Sequence, residues 1–130
     1  GGSPGFWRGK VLAPYSGDEL VYNATLGDWR THNGVDVAAA AGEAVPAVRA
    51  GRVTLVDADA LWGGVVEISD AGGRVWRYCG VDGSCVVGDA VAAGDVLGTA
   101  GAIPAEADLD GHVHLECLED GSSWVEPEIK

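Results

Sequence analysis

The sequence predicts an all-β fold, a compact and mainly antiparallel, barrel-like sheet of short strands and long loops with little helix. Glycine is frequent, at 21 of 130 residues, and divides the chain into short runs rich in valine. No long stretch has the apolar period of an amphipathic helix. The alanines at 38–41 favour a helix by propensity, but Gly42 follows at once and the flanking segments are strand-like.

Two turn signals place the first elements. Asp-Ala-Gly-Gly at 70–73 lies between two valine-bearing runs and predicts a hairpin of strands near 64–69 and 74–79. Further on, VVGDAVAAGDVLGTAG repeats Gly-Asp at a spacing of six, from Gly88 to Gly94, which indicates repeated turns between very short strands.

The length of 130 residues favours one domain. We assign residues 10–130 to that domain and residues 1–9 to a linker or cloning remnant. No segment has the length of a membrane span, and GGSPGFW lacks the regions of a signal peptide. Membrane attachment is therefore expected only through an anchor absent from this chain.

The formal net charge of −12 repels a phosphate backbone and excludes nucleic acid as a partner. Cys79, Cys85 and Cys117 are too few for a disulfide framework. Cys79 and Cys85 could pair across a short loop, and the sequence leaves this open.

The chain has three histidines, and all lie in two short motifs. THNGVD places His32 four residues before Asp36, and GHVHLEC carries His112 and His114. Strand alternation puts His112, His114 and Glu116 on one face and apolar residues on the other. Glu116 could accept a hydrogen bond from a histidine, although exposed strand carboxylates are commoner.

Two imidazoles and one carboxylate form a known ligand set for a catalytic zinc, with the remaining histidine available for proton transfer. Each motif alone is ordinary, since a strand histidine is more often hydrogen-bonded than metal-bound and Asp near Gly usually marks a turn. Their coincidence favours a metal site. The residues alone leave open whether His112 or His114 is the ligand. Trp29 and Trp62 lie near these motifs or the hairpin, where packing is the commoner role and substrate stacking the second.

The order of these motifs resembles the lysostaphin and LytM type of zinc metallopeptidase, from about Lys10 to Pro127. The segment YNATLGDWRTHNGVDVAA resembles the branch of that family that serves in the channel between mother cell and forespore. The resemblance is carried by THNGVD, by the spacing of Val45, Ala47, Gly51 and Val53, by WGGVVEI, by GDAVAAGDVLGTAG and by GHVHLE.

The resemblance implies that His32, Asp36 and His114 bind Zn²⁺ and that His112 is the catalytic histidine that handles the proton of the attacking water. It also implies an extracytoplasmic location with a membrane anchor in the intact protein.

One departure from the family pattern bears on activity. Active family members carry a second, non-ligand histidine in a Tyr-x-His-Leu pattern, where this chain reads Tyr78, Cys79, Gly80 and Val81. Losing such a donor typically costs about 10² to 10³ in rate. Arg77 and Tyr78 stand beside the gap, but alternation sends them to opposite faces, and the sequence does not decide which faces the metal.

We therefore expect a zinc-bearing domain of weak or no hydrolytic activity that acts as a sporulation channel or assembly component, with a protein partner in an intermembrane channel. The alternative is an active zinc endopeptidase whose partner is a peptidoglycan cross-bridge peptide. GDAVAAGDVLG also resembles biotinyl and lipoyl carrier domains. These carriers need a lysine at a hairpin tip, whereas the two lysines here, Lys10 and Lys130, lie near the two ends of the sequence. The carrier interpretation therefore fails.

Overall fold

Antiparallel strands account for the fold of the chain. The computed structural model describes residues 11–13, 20–23, 28–31, 34–101, 103, 112–119 and 123–125. Within these ranges there are thirteen strands and no helix, so the predicted all-β class is confirmed. The strands are β1 (Val11–Ala13), β2 (Leu20–Asn23), β3 (Asp28–Thr31), β4 (Gly34–Ala38), β5 (Ala44–Pro46), β6 (Gly51–Asp59), β7 (Gly63–Ser69), β8 (Arg74–Cys79), β9 (Val81–Gly83), β10 (Ala90–Val91), β11 (Val96–Ala100), β12 (His112–Glu119) and β13 (Ser123–Val125).

The largest sheet has eight strands, in the order β1-β4-β12-β8-β7-β6-β10, with β13 also paired to β12. Smaller sheets are formed by β5-β11-β9 and by β2-β3. Every pairing among the described strands is antiparallel, as predicted. Strand β12 lies between β4 and β8, and this position brings the two histidine-bearing motifs toward one another.

The hairpin predicted around residues 70–73 is confirmed as β7 and β8. Asp70 closes the turn with both carboxylate oxygens. Its Oδ1 accepts hydrogen bonds from the backbone N–H of Gly72 at 2.8 Å and of Arg74 at 3.0 Å, and its Oδ2 accepts one from the Trp76 indole at 2.9 Å. The turn residue thus also fixes a large core side chain.

The repeated Gly-Asp motif corresponds to a repeated turn. Asp89 accepts a hydrogen bond from the backbone N–H of Val86 at 3.0 Å, and Asp95 accepts one from Ala92 at 2.8 Å. In both turns the preceding glycine has a positive φ. The short strands β10 and β11 follow these turns, as predicted.

One buried apolar cluster joins the large sheet to the sheet β5-β11-β9. Tyr78 is fully buried in it, and its hydroxyl accepts a hydrogen bond from the backbone N–H of Val48 at 2.9 Å. Burial raises the pKa of the Tyr78 hydroxyl. The cluster takes side chains from both sheets, among them Val37, Val45, Val66, Ile68, Trp76, Val81, Leu97, Val113 and Leu115.

All three cysteines lie in the described part of the chain and are thiols, so Cys79 and Cys85 do not pair. Burial raises the pKa of the Cys85 and Cys117 thiols. None of the described residues belongs to a helix long and apolar enough to cross a membrane.

Candidate metal centre

The register of β4 and β12 brings together Asp36 and His114, which are 78 positions apart in sequence. Asp36 lies directly opposite His114 in the antiparallel pairing. Both are buried, at 0% and 1% exposure, and His114 Nδ1 lies 2.7 Å from Asp36 Oδ1. A carboxylate and an imidazole nitrogen that face one another in a buried position can serve as two ligands of one divalent ion.

The other ring nitrogen of His114 is also held. Its Nε2 lies 3.0 Å from Glu116 Oε2. A neutral imidazole has one N–H, so it can donate to only one of the two carboxylates, whereas the protonated ring donates to both. In the neutral ring, a proton on Nε2 would leave the lone pair of Nδ1 for a metal ion on the Asp36 side of the ring.

Two further residues shape the position of the His114 ring. Trp62 stacks on it with ring centroids 4.4 Å apart and an interplanar angle of 26°. A Cβ atom on Gly34 would lie 2.3 Å from the Leu115 carbonyl oxygen and 3.0 Å from His114 Nε2. Glycine at position 34 therefore allows the close approach of β4 and β12 beside the ring.

Arg77 lies on the same face of the sheet and pairs with two carboxylates. Its Nε donates to Glu67 Oε2 at 2.8 Å, and its Nη1 donates to Glu116 Oε1 at 3.0 Å. Partial burial lowers the pKa of the Arg77 guanidinium, but these carboxylates outweigh it and hold that pKa above its ordinary value. Tyr78, the other residue beside the family departure, points into the core instead.

His112 is buried at 4% exposure and lies one alternation along β12 from His114. Its Nε2 lies 3.9 Å from Asp36 Oδ1, which is beyond hydrogen-bond range but within the range of an ion pair. The sequence prediction that His112, His114 and Glu116 share one face is confirmed by their pairing with Ala38, Asp36 and Gly34.

His32, the third predicted ligand, lies outside the described residues. Without it, no group of three His, Cys, Asp or Glu side chains in the described ranges is arranged to hold a metal. Asp36 and His114, the two predicted ligands that the structure describes, nevertheless suit zinc, because an oxygen and a nitrogen donor face one another and a carboxylate holds the second ring nitrogen of the histidine. The full set with His32 stays a prediction.

Gly80 is held in a conformation that suits glycine. Its φ is +81°, and a Cβ atom there would lie 2.4 Å from Ile103 Cγ1 and 2.7 Å from Ile103 Cδ1. Ile103 is buried, and the backbone of Gly80 bonds to Gly64 and Gly101. A side chain at position 80 therefore meets both backbone strain and a buried neighbour.

A cavity of about 290 Å³ is lined in part by Trp62, which stacks on His114, and by Glu116. The sequence did not indicate that Glu67 pairs with Arg77, although counting outward from the 70–73 turn places the two residues opposite one another. Nor did it indicate that Cys79 lies directly opposite His114 on β8. The cavity is lined by Leu55, Asp57, Ala58, Asp59, Trp62, Val65, Glu67, Arg77, Cys79 and Glu116.

Comparison with known proteins adds a family. The model of peptidase family M23 matches residues 30–127. No match was found among curated protein sequences.

Solved structures share the fold over most of the chain. A chain of the SpoIIQ–SpoIIIAH pore-forming complex is 25% identical with a TM-score of 0.76, and the match covers 91% of this chain and 80% of that one. The catalytic domain of the antimicrobial peptidase lysostaphin from Staphylococcus simulans is 21% identical with a TM-score of 0.77, covering 96% and 93%. A zinc-containing peptidase from Vibrio cholerae is 24% identical with a TM-score of 0.74, covering 89% and 35%. The latter two matches show the shared fold.

Proposed function

The chain belongs to peptidase family M23, and we propose that it is a zinc-binding domain of weak or no hydrolytic activity that serves as an assembly component. The family is zinc-dependent, and its domains are typically extracytoplasmic. The observation that carries the proposal is Gly80, which stands in the place of the second family histidine with a positive φ and with Ile103 Cγ1 2.4 Å from the position of a Cβ atom.

Asp36 and His114 are the proposed zinc ligands within the described part of the chain, and His32 is the proposed third ligand. Support comes from the 2.7 Å approach of Asp36 Oδ1 to His114 Nδ1 and from the burial of both groups. Bound zinc would polarise a substrate carbonyl and lower the pKa of a bound water toward about 7.

His112 is the proposed proton acceptor in any residual hydrolysis. It shares the face of Asp36 and His114, and its Nε2 lies 3.9 Å from Asp36 Oδ1. A buried imidazole in this place can take a proton from an attacking water and return it to the leaving amine.

A second donor would normally stabilise the negative charge that develops on the carbonyl oxygen. With Gly80 in that place, the loss is about 10² to 10³ in rate, or roughly 3 to 4 kcal/mol. Arg77 lies nearby, but its guanidinium pairs with Glu67 and Glu116. These observations support slow or absent cleavage.

The assembly role is supported by the 25% identity to a chain of the SpoIIQ–SpoIIIAH pore-forming complex over 91% of this chain. We propose that the partner is a protein in an intermembrane channel and that the location is extracytoplasmic, with a membrane anchor in the intact protein. The net charge of −12 disfavours nucleic acid.

A cleavage assay on peptidoglycan and glycyl peptides tests the proposal. The wild-type domain should show weak turnover at most, about 10² to 10³ below that of a variant in which the second histidine is restored. Because Gly80→His alone would clash with Ile103, the restoring variant is Gly80→His with Ile103→Ala, and its matched control is Gly80→Ala with Ile103→Ala. Activity in the former above the latter would support the missing-histidine explanation. Wild-type cleavage as fast as that of the restoring variant, and lost in His112→Ala, would overturn the proposal in favour of an active endopeptidase.

A further inference from the structure

A row of alternating charges crosses three neighbouring strands on the face that carries His114. Glu67 on β7 pairs with Arg77 on β8 at 2.8 Å, and Arg77 pairs with Glu116 on β12 at 3.0 Å. Glu116 in turn lies 3.0 Å from His114 Nε2. The strand register produces this row, since Glu67 is opposite Arg77 and Arg77 is opposite Glu116.

We propose that Glu116 is a positioning residue that fixes the tautomer and ring orientation of His114 for metal binding, and that Arg77, held by Glu67, keeps Glu116 in place. The proposal rests on the zinc role of His114 proposed above. In this proposal Arg77 has a structural role at the metal centre. It does not replace the missing oxyanion donor.

The chemistry of the imidazole explains the role of Glu116. An imidazole ligates a metal through one nitrogen, and the tautomer is set by the hydrogen bond of the other nitrogen. Both carboxylates can accept a proton from the ring, but a metal held by Asp36 would take the lone pair of Nδ1, which lies 2.7 Å from Asp36 Oδ1. The ring proton would then stand on Nε2, where Glu116 Oε2 accepts it at 3.0 Å.

Burial explains the role of Arg77. The Glu116 side chain is 8% exposed, and an ionised carboxylate in such a place needs a partner of opposite charge. Asp36 supplies a second negative charge on the other side of the same ring. The Arg77 guanidinium neutralises Glu116 and occupies Oε1, which leaves Oε2 for the histidine.

The test is the zinc affinity of Glu116→Gln, measured by competition with a chromophoric chelator. A glutamine can accept from His114 or from Arg77 through its single oxygen but not from both, so its amide would face a donor. We expect zinc binding about 10- to 100-fold weaker than in the wild type. Glu119→Gln, which changes an exposed carboxylate on the same strand, is the matched control and should bind zinc as the wild type does.

A second readout separates positioning from general stability. In NMR of the zinc-loaded wild type, we expect the hydrogen bond to Glu116 to shift the His114 Nε2–H signal downfield and to slow its exchange with water. This signature should be reduced in Glu116→Gln and kept in Glu119→Gln. Arg77→Met should also weaken zinc binding, and Arg77→Lys should restore part of it. If Arg77→Met does not fold, Glu116→Gln and its control Glu119→Gln still decide whether Glu116 positions His114.

The outcomes distinguish the two proposals. Equal zinc affinity and unchanged His114 signals in Glu116→Gln would overturn the positioning role alone, with the zinc site intact. A wild-type domain that binds no zinc would overturn the proposed function and this inference together.

Discussion

Substitution of Gly80 by alanine should lower the free energy of unfolding by about 2 to 5 kcal/mol. The left-handed backbone, with φ +81°, costs a residue with a Cβ about 1 to 2 kcal/mol. The new Cβ would also lie 2.4 Å from Ile103 Cγ1, and overpacking of a buried site typically costs about 1 to 3 kcal/mol.

Gly94→Ala is the matched control for the backbone term. Gly94 has a φ of +92°, but a Cβ there would meet nothing within 4 Å. Its substitution should therefore cost only about 1 to 2 kcal/mol. The difference between the two variants measures the contact with Ile103.

The assay is urea denaturation followed by circular dichroism, with the midpoint compared at an unchanged m-value. In the double variant Gly80→Ala with Ile103→Ala, the total loss should be smaller than the sum of the single losses by about 1 to 3 kcal/mol, because the contact is removed. A cost for Gly80→Ala no larger than that for Gly94→Ala, or additive losses for Gly80→Ala and Ile103→Ala, would show that the contact with Ile103 does not matter.

Two further stability predictions follow from buried or turn-forming hydrogen bonds. For Asp70→Asn we expect a loss of about 1 kcal/mol at pH 7, measured by urea denaturation. Burial raises the pKa of the Asp70 carboxyl, but hydrogen bonds from Trp76, Arg74 and Gly72 lower it below its ordinary value. The stabilisation is therefore present above the unfolded pKa of about 3.9 and lost as the pH falls through the folded pKa, so the two proteins should converge near pH 2. A gap that does not depend on pH would contradict this. For Tyr78→Phe, the buried N–H of Val48 loses its acceptor, and the same measurement should show a loss of about 1 to 3 kcal/mol. A change below about 0.5 kcal/mol would contradict the importance of that hydrogen bond.

Local chemistry explains which parts of the fold could be predicted from the sequence. The β7–β8 hairpin follows from the turn at 70–73, because Asp and Gly there satisfy the backbone of a tight connection. The repeated turns at Asp89 and Asp95 follow in the same way. Alternation along β12 correctly placed His112 and His114 on one face, because the period of a strand is independent of its partners.

Long-range register explains what could not be predicted. Asp36 lies opposite His114 because β4 pairs with β12, and these two residues are 78 positions apart in sequence. Only the family resemblance suggested this particular pair. Glu116 is buried against His114 and is not one of the exposed carboxylates that are commoner on strands. The contact of Ile103 with Gly80 depends on the path of a distant segment, and no local pattern indicates it.

The most direct test of the zinc centre is the metal content of the purified domain and three alanine variants, measured by mass spectrometry after dialysis against trace zinc. We expect one zinc per chain in the wild type and in His112→Ala, and loss of zinc in His32→Ala and Asp36→Ala. Zinc retained in both His32→Ala and Asp36→Ala, or no zinc in the wild type, would contradict this expectation.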